Sequence, residues 1–154
     1  MAQKLFKVIK DHYPKSKLHV ASPAWTIPLV SRMPEVDQPI ALPFSHGELN
    51  LIKRYQLGKS LKIEGYTEAI VLTNSFKSAL IPFFANIPNR RGFLGEMRFG
   101  LINDRIKKDK SLYRTVDQFL ALAPKNKNVR PSLSTYLISK DRKSTRLNSS
   151  HSSV

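Results

Sequence analysis

Apolar residues recur along residues 1–123 with two alternating periods, one helical and one extended, and that alternation carries most of the fold information. Leu5, Phe6, Val8 and Ile9 fall at helical spacing within residues 3–13, and Pro14 ends the run. Lys17-Leu18-His19-Val20-Ala21 reads as a strand, residues 25–31 as a short helix interrupted near Pro28, and Pro39-Ile40-Ala41-Leu42-Pro43 as a second strand. A helix is expected over residues 47–64 with Leu51, Ile52, Tyr55 and Leu61 facing inward, weakened at Gly58 by the backbone entropy of glycine. Ala69-Ile70-Val71-Leu72 reads as a third strand. Phe76, Ala79, Leu80, Phe83 and Phe84 then form an i, i+3, i+4, i+7, i+8 stripe over residues 76–85, where Pro82 predicts a kink. A short strand around Gly92-Phe93-Leu94 is expected next. A helix over residues 111–123, with Leu112, Val116, Phe119, Leu120 and Ala123 inward, completes the pattern.

Strands that alternate with helices imply a parallel sheet, because parallel neighbours need crossover connections. The fold class is therefore α/β, a Rossmann-like parallel sheet with flanking helices. Such sheets ordinarily open on a strand, whereas this chain opens on a helix, so residues 1–123 are expected to form a Rossmann-like domain lacking its first strand. Residues 124–140, rich in Lys, Asn, Ser and Pro, read as a linker or a truncated continuation. Residues 141–154 have no apolar periodicity and match a reading frame of a common sequencing-library adapter, so a non-native tail is expected there; a natural disordered tail is the alternative that composition allows.

Composition narrows the function classes. At 154 residues with 41% hydrophobic content there is enough apolar material for one ordinary domain core. The absence of cysteine excludes a disulfide framework, a thiolate metal site and a cysteine nucleophile. No apolar run approaches the length of a membrane span, and the opening residues mix charge with apolar side chains where a signal peptide needs an unbroken apolar run. A cytoplasmic protein is expected. The net charge of +15 requires an anionic neighbour or a solvated basic surface. Its positive residues are dispersed, with no single basic helix and no interleaved aromatic ladder, which argues against a dedicated nucleic-acid module. A non-catalytic basic module for nucleic acid or anionic membrane remains the rival reading.

Candidate chemistry concentrates where the third strand gives way to the phenylalanine-rich helix. Asn74, Ser75 and the free N–H groups of a helix start lie at the carboxyl edge of a strand, the edge at which open α/β sheets bind ligands. Ser75 fits a helix N-cap, and the same hydroxyl could face a ligand. Lys77 sits one turn in, where such a lysine is more often a solvated helix charge; beside a helix N-terminus it cannot offset the dipole, which raises a ligand role above that of an average lysine. Arg98 lies between Gly95 and Gly100 and offers a planar fork for carboxylate or phosphate, or a salt bridge to Glu96 or Asp104. His46, in a loop between strand and helix, is either a loop residue or a contact for a sugar. Trp25 either packs the adjoining short helix or stacks on a sugar ring. Arg90 and Arg91 read as a solvated edge that discourages sheet-to-sheet pairing. Asn103-Asp104 could be a turn or a site. No His, Asp or Glu cluster has metal-ligand spacing.

These strings occur in a particular order: Ala21-Ser22-Pro23-Ala24-Trp25, Ser31-Arg32-Met33-Pro34-Glu35-Val36, Leu57-Gly58-Lys59-Ser60-Leu61, Asn74-Ser75-Phe76-Lys77-Ser78-Ala79-Leu80, Gly95-Glu96-Met97-Arg98 and Gly100-Leu101-Ile102-Asn103-Asp104. In that order and spacing the chain resembles the bacterial lipopolysaccharide heptosyltransferases, glycosyltransferase family nine, over residues 1–123. The resemblance implies the incomplete amino-terminal, acceptor-side half of a GT-B glycosyltransferase. Its partner would be the anionic lipopolysaccharide inner-core acceptor, with peripheral contact at the inner face of the inner membrane, no nucleic acid, and a monomeric state. The donor, ADP-heptose, would bind a carboxyl-terminal domain that lies outside these residues, and no cofactor is implied. The base of the transfer reaction would be an aspartate in a glycine-aspartate loop upstream of Met1. Asn74, Ser75, Lys77, Arg98 and His46 would then be acceptor-binding residues, none of them catalytic, and the 154 residues alone are expected to be inactive.

Overall fold

A computed structural model describes residues 2–45, 47–109 and 111–124, together with the backbone of Thr135–Ile138. Helix α1, Ala2–His12, is followed by strand β1, Leu18–Pro23, a single 3-10 turn at Ala24–Thr26 and the short helix α2, Ile27–Val30. Strand β2, Gln38–Leu42, leads through a loop to α3, Leu51–Leu61, and a 3-10 turn, Lys62–Glu64. Next come β3, Glu68–Val71, helix α4, Phe76–Phe84, β4, Asn89–Phe93, β5, Asp104–Ile106, α5, Thr115–Ala121, and β6, Thr135–Ile138. The strands form one sheet in the order β2-β1-β6-β3-β4-β5, and every pairing is parallel. All the carboxyl ends therefore lie on one edge. Among the described residues no helix is long and apolar enough to cross a membrane.

Side chains alternate across the strands and build apolar clusters on both faces of the sheet. Leu18 and Val20 of β1, Ile70 of β3 with Leu72 just beyond it, and Phe93 of β4 meet Leu5, Phe6 and Ile9 of α1, with Leu122 closing the cluster after α5. Ala21 and Ala69, pointing to the opposite face, meet Leu61 at the end of α3 and Ile81 of α4. A third cluster joins Val71, Ala79 and Leu80 to Leu101 and Ile102.

Several expectations change. Helix α3 starts at Leu51 because the Asn50 side chain, on a residue at φ 32°, accepts from the Lys53 N–H at 3.1 Å and caps it. Its buried residues are Arg54, Gly58 and Leu61, while Leu51, Ile52 and Tyr55, expected inside, are exposed. The reason lies at Gly58: a Cβ there would stand 2.5 Å from the Phe84 Cβ and 2.9 Å from the Ile81 carbonyl oxygen, so α3 presents its one residue without a side chain to α4. Close approach, rather than weakness, is what this glycine provides. On α4 the buried run is Ser78 to Pro82, and Phe76 and Phe83 of the expected stripe are substantially exposed. The last helix is shorter than expected, with Phe119 packed on the core. Strand β5 went unforeseen, since three residues carry no readable alternation.

The largest difference concerns the expected linker. Residues 135–138 pair with β1 on one side and β3 on the other, in the middle of the sheet. A doubly wound sheet gives that slot to its first strand; here the last strand occupies it. The remaining residues of 124–140 from 125 to 134 and from 139 onward, and the tail at 141–154, lie outside the described residues.

Candidate functional site

The carboxyl edge is assembled from the ends of β1, β3 and β4 and the turns that follow them. β3 runs into Thr73, Asn74 and Ser75, and Ser75 takes extended angles, φ −72° and ψ 140°, just ahead of α4. It stands at the N-cap position, yet its hydroxyl makes no capping bond: it donates to Ser78 Oγ at 3.1 Å, while Ser78 Oγ donates to the Ser75 carbonyl at 2.6 Å. The helix's first N–H, that of Phe76, instead donates to Glu96 Oε2 at 3.0 Å. A carboxylate from the turn after β4 thus rests on the positive end of α4. Asn74 is exposed and Ser75 and Lys77 are half-buried beside it, so these three form one polar mouth.

Arg98 belongs to the same edge, but in a different capacity from the one expected. It is buried, and its guanidinium donates to the carbonyls of Thr73 at 2.7 Å, Gly95 at 3.4 Å and Phe93. Neither Glu96 nor Asp104 takes it in a salt bridge. Burial holds its pKa below the usual guanidinium value, and the nearby Glu96 carboxylate opposes that shift. Arg98 therefore fastens the end of β3 to the end of β4 from beneath the mouth. The turn it anchors carries Glu96 at φ 40° and Met97 at φ 49°, left-handed angles that side chains rarely adopt. His46 lies outside the described residues.

Two buried hydroxyls flank the same edge. Thr73 Oγ1, after β3, and Ser22 Oγ, near the end of β1, find no hydrogen-bond partner among the described residues. The neighbouring arginines are internal ties and not the solvated edge expected of them. Arg90 donates to the carbonyls of Leu101 at 2.7 Å and Ile87 at 2.5 Å, and Arg91 pairs with Asp104 at 2.6 Å. Asn103 is a structural turn residue, since its amide accepts from the Arg90 N–H and donates to the Pro88 carbonyl. Trp25 is 59% exposed, so packing a helix accounts for only part of it.

Sequence reasoning missed Arg54. Its guanidinium is buried over the Phe44 ring, 4.1 Å from the centroid, and donates to the carbonyls of Glu48, Leu49 and Lys77. It links the loop after β2 to the first turn of α4 and so helps place Lys77. Nothing in the local pattern separates such an arginine from a solvated helix charge. Glu96 was missed for a related reason, because its role depends on a helix start twenty positions away in sequence. Chemically the mouth offers an amide, hydroxyls, an ammonium group and one carboxylate, a set suited to a hydroxyl-rich ligand that carries anionic groups. Among the described residues no group of three or more His, Asp or Glu side chains could hold a metal ion.

The pattern of glycosyltransferase family 9 (heptosyltransferase) matches residues 54–153. The lipopolysaccharide heptosyltransferase 2 of Salmonella typhimurium is 51% identical over 124 residues, which is 80% of this chain and 36% of that protein. The protein of the same name from Escherichia coli is 48% identical over the same shares. The lipooligosaccharide heptosyltransferase 2 of Haemophilus ducreyi is 49% identical over 80% of this chain and 35% of its own length. The solved structure of the E. coli ADP-heptose lps heptosyltransferase II superposes with a TM-score of 0.71 at 44% identity, covering 80% of this chain and 35% of that one. The chain thus spans about a third of the length of the relatives it matches.

Proposed function

Because the chain belongs to glycosyltransferase family 9, the heptosyltransferases, we propose that it supplies the acceptor-side surface of an enzyme transferring L-glycero-D-manno-heptose from ADP-heptose to the heptosyl-Kdo2-lipid A inner core. The observation that carries this reading is the grouping of Asn74, Ser75 and Lys77 at the mouth between β3 and α4, on the edge where parallel α/β sheets take ligands. Asn74 donates to a sugar hydroxyl, Ser75 Oγ, whose own proton goes to Ser78 Oγ, accepts from one, and Lys77 answers a carboxylate or phosphate of the acceptor. Arg98 holds the two strand ends at the spacing the mouth requires and acts as a positioning residue. The donor sugar nucleotide is assigned to the part of the relatives' length that these residues do not span. Since the acceptor is a glycolipid, the protein works peripherally at the inner face of the inner membrane.

The share of the relatives' length that the chain spans supports binding, rather than turnover, as the readout for the 154 residues themselves. Titration with a lipid-free heptosyl-Kdo2 oligosaccharide, followed by calorimetry, tests the reading. Saturable binding is expected, and Lys77→Ala should weaken it by about tenfold through loss of one charge-assisted contact. Binding that Lys77→Ala and Asn74→Ala leave unchanged, or that duplex DNA displaces as readily as the oligosaccharide, would overturn the assignment in favour of a general polyanion-binding module.

A further inference from the structure

Helix α3 carries an outward face that the mouth does not use. Gly58 turns the helix so that Arg54, Gly58 and Leu61 lie inward, which leaves Ile52 72% and Tyr55 49% exposed, with Ile63 in the following turn at 88%. Ile52, Tyr55, Lys59 and Lys62-Ile63 succeed one another at three- and four-residue steps and so line one side of the helix. The apolar strip continues onto α4. The Tyr55 ring meets Phe84 edge-on at 5.4 Å and Phe84 meets Phe83 at 5.8 Å. Lys59 borders it, its Nζ 6.0 Å from the Tyr55 ring centroid, while the Arg90 guanidinium, 5.6 Å from that of Phe83, is committed to backbone carbonyls beneath the strip. Lys53 and Lys62 are exposed alongside. Glu64 is the one acidic residue in α3, its following turn and α4.

We propose that this face of α3 and α4 is the surface by which the protein lies on an anionic phospholipid bilayer. The proposal rests on the functional reading above, in which the acceptor is lipid-borne and the protein works at a membrane, and it names the surface that makes that contact. Aliphatic and aromatic side chains ringed by lysines gain from both phases of an interface: the apolar groups enter the headgroup and acyl boundary while the ammonium groups meet lipid phosphates. A second copy of the chain would set lysine against lysine. Nucleic acid would leave Ile52 and Ile63 in water, since neither can stack on a base as aromatic side chains do. Both α3 and α4 begin at the carboxyl edge, so a bilayer along them lies beside the mouth.

Cosedimentation of the full 154-residue chain with vesicles tests this. One set contains phosphatidylcholine alone, the other phosphatidylcholine with phosphatidylglycerol, and neither contains lipopolysaccharide. Binding is expected to the anionic vesicles, to fall with added salt, and to drop by about tenfold or more in Ile52→Asp/Ile63→Asp. Lys59→Gln should weaken it by about fivefold. Tyr113→Asp, at a residue equally open but on the α5 side of the molecule, should bind as the parent does. Unchanged circular dichroism and melting of each variant establish that folding is intact. Equal vesicle binding by the parent and the double aspartate variant would overturn the proposal. So would absence of vesicle binding together with a dimer that the double variant dissociates, or with DNA binding that it abolishes. Failure of the oligosaccharide titration with vesicle binding intact would refute the acceptor assignment and leave this surface standing.

Discussion

Helices α1 and α3 each have eleven residues, and they pack on opposite faces of the same sheet by different means. Helix α1 inserts Leu5, Phe6 and Ile9 into the larger core, all three essentially inaccessible to water. Helix α3 turns a glycine, an arginine and one leucine inward, with Leu57 partly buried against the same core, and leaves Leu51, Ile52 and Tyr55 exposed. The first is held by buried apolar area, the second by close backbone approach and by carbonyl hydrogen bonds to Arg54. Apolar content therefore does not tell which face of a helix is buried. The packing surface of the partner decides, and for α3 that partner is another helix whose Phe84 and Ile81 leave no room for a side chain at position 58.

Phe6→Ala should cost about 3–5 kcal/mol, measured by urea unfolding, since it empties the centre of the α1 core. Gly58→Ala is the sharper case. In an open helix that change stabilises by up to about 1 kcal/mol, but the added methyl here collides with Phe84 and the Ile81 carbonyl, so a loss of about 1–3 kcal/mol is expected. A gain in stability would show that α3 is not held by close approach.

Buried titratable groups on the two faces give opposite pH slopes. His19 donates or accepts at 2.7 Å with the Tyr66 hydroxyl on the α3 side, and burial lowers its pKa, against the opposing pull of Glu64 and Asp37. With the folded value depressed, its contribution is present above the ordinary imidazole pKa and is lost as pH falls through the folded one. On the α1 side burial raises the pKa of Glu68, which Arg91 opposes and Asp104 reinforces. That contribution is complete below the ordinary carboxylate pKa and disappears as pH rises through the folded value. His19→Gln should flatten the acid-side loss of urea midpoint, and Glu68→Gln should flatten the decline on raising pH from the acid end. A His19→Gln profile that matches the parent would remove the α3 half of this contrast. Smallest of all, Ile52→Ser should change unfolding stability by no more than about 0.5 kcal/mol, as expected for an exposed site. A larger loss would mean that the outer face of α3 is packed against something in the folded chain.

Much of the architecture was legible because it rests on local repetition. The run Leu5, Phe6 and Ile9 has a helix period and a proline stop, and Ala69 to Leu72 is a short apolar run bounded by polar residues. The polar mouth was also legible, since a strand that ends in Asn74-Ser75 and opens a helix places both residues at the carboxyl edge wherever the sheet is parallel. The role of Arg98 was not. From its glycine neighbours it could reach outward to an anion or inward to carbonyls, and only the proximity of the Thr73 and Phe93 carbonyls makes the inward choice. The inward roles of Arg90, Arg91 and Arg54 were hidden for the same reason, because each bonds to groups brought close by strand pairing or helix contact.

By itself the sequence determined the alternation of helices and strands, the parallel α/β class, the family, and the position of the Asn74, Ser75 and Lys77 mouth. All of these follow from period, order and spacing along one chain. Tertiary structure decided which arginines face inward, which side of α3 meets water, that Glu96 rests on the start of α4, and that residues 135–138 take the central slot of the sheet. Each of those outcomes depends on carbonyls, carboxylates and backbone surfaces supplied by distant segments. Hydrophobic periodicity records what a residue can bury, and only assembly records what it is buried against.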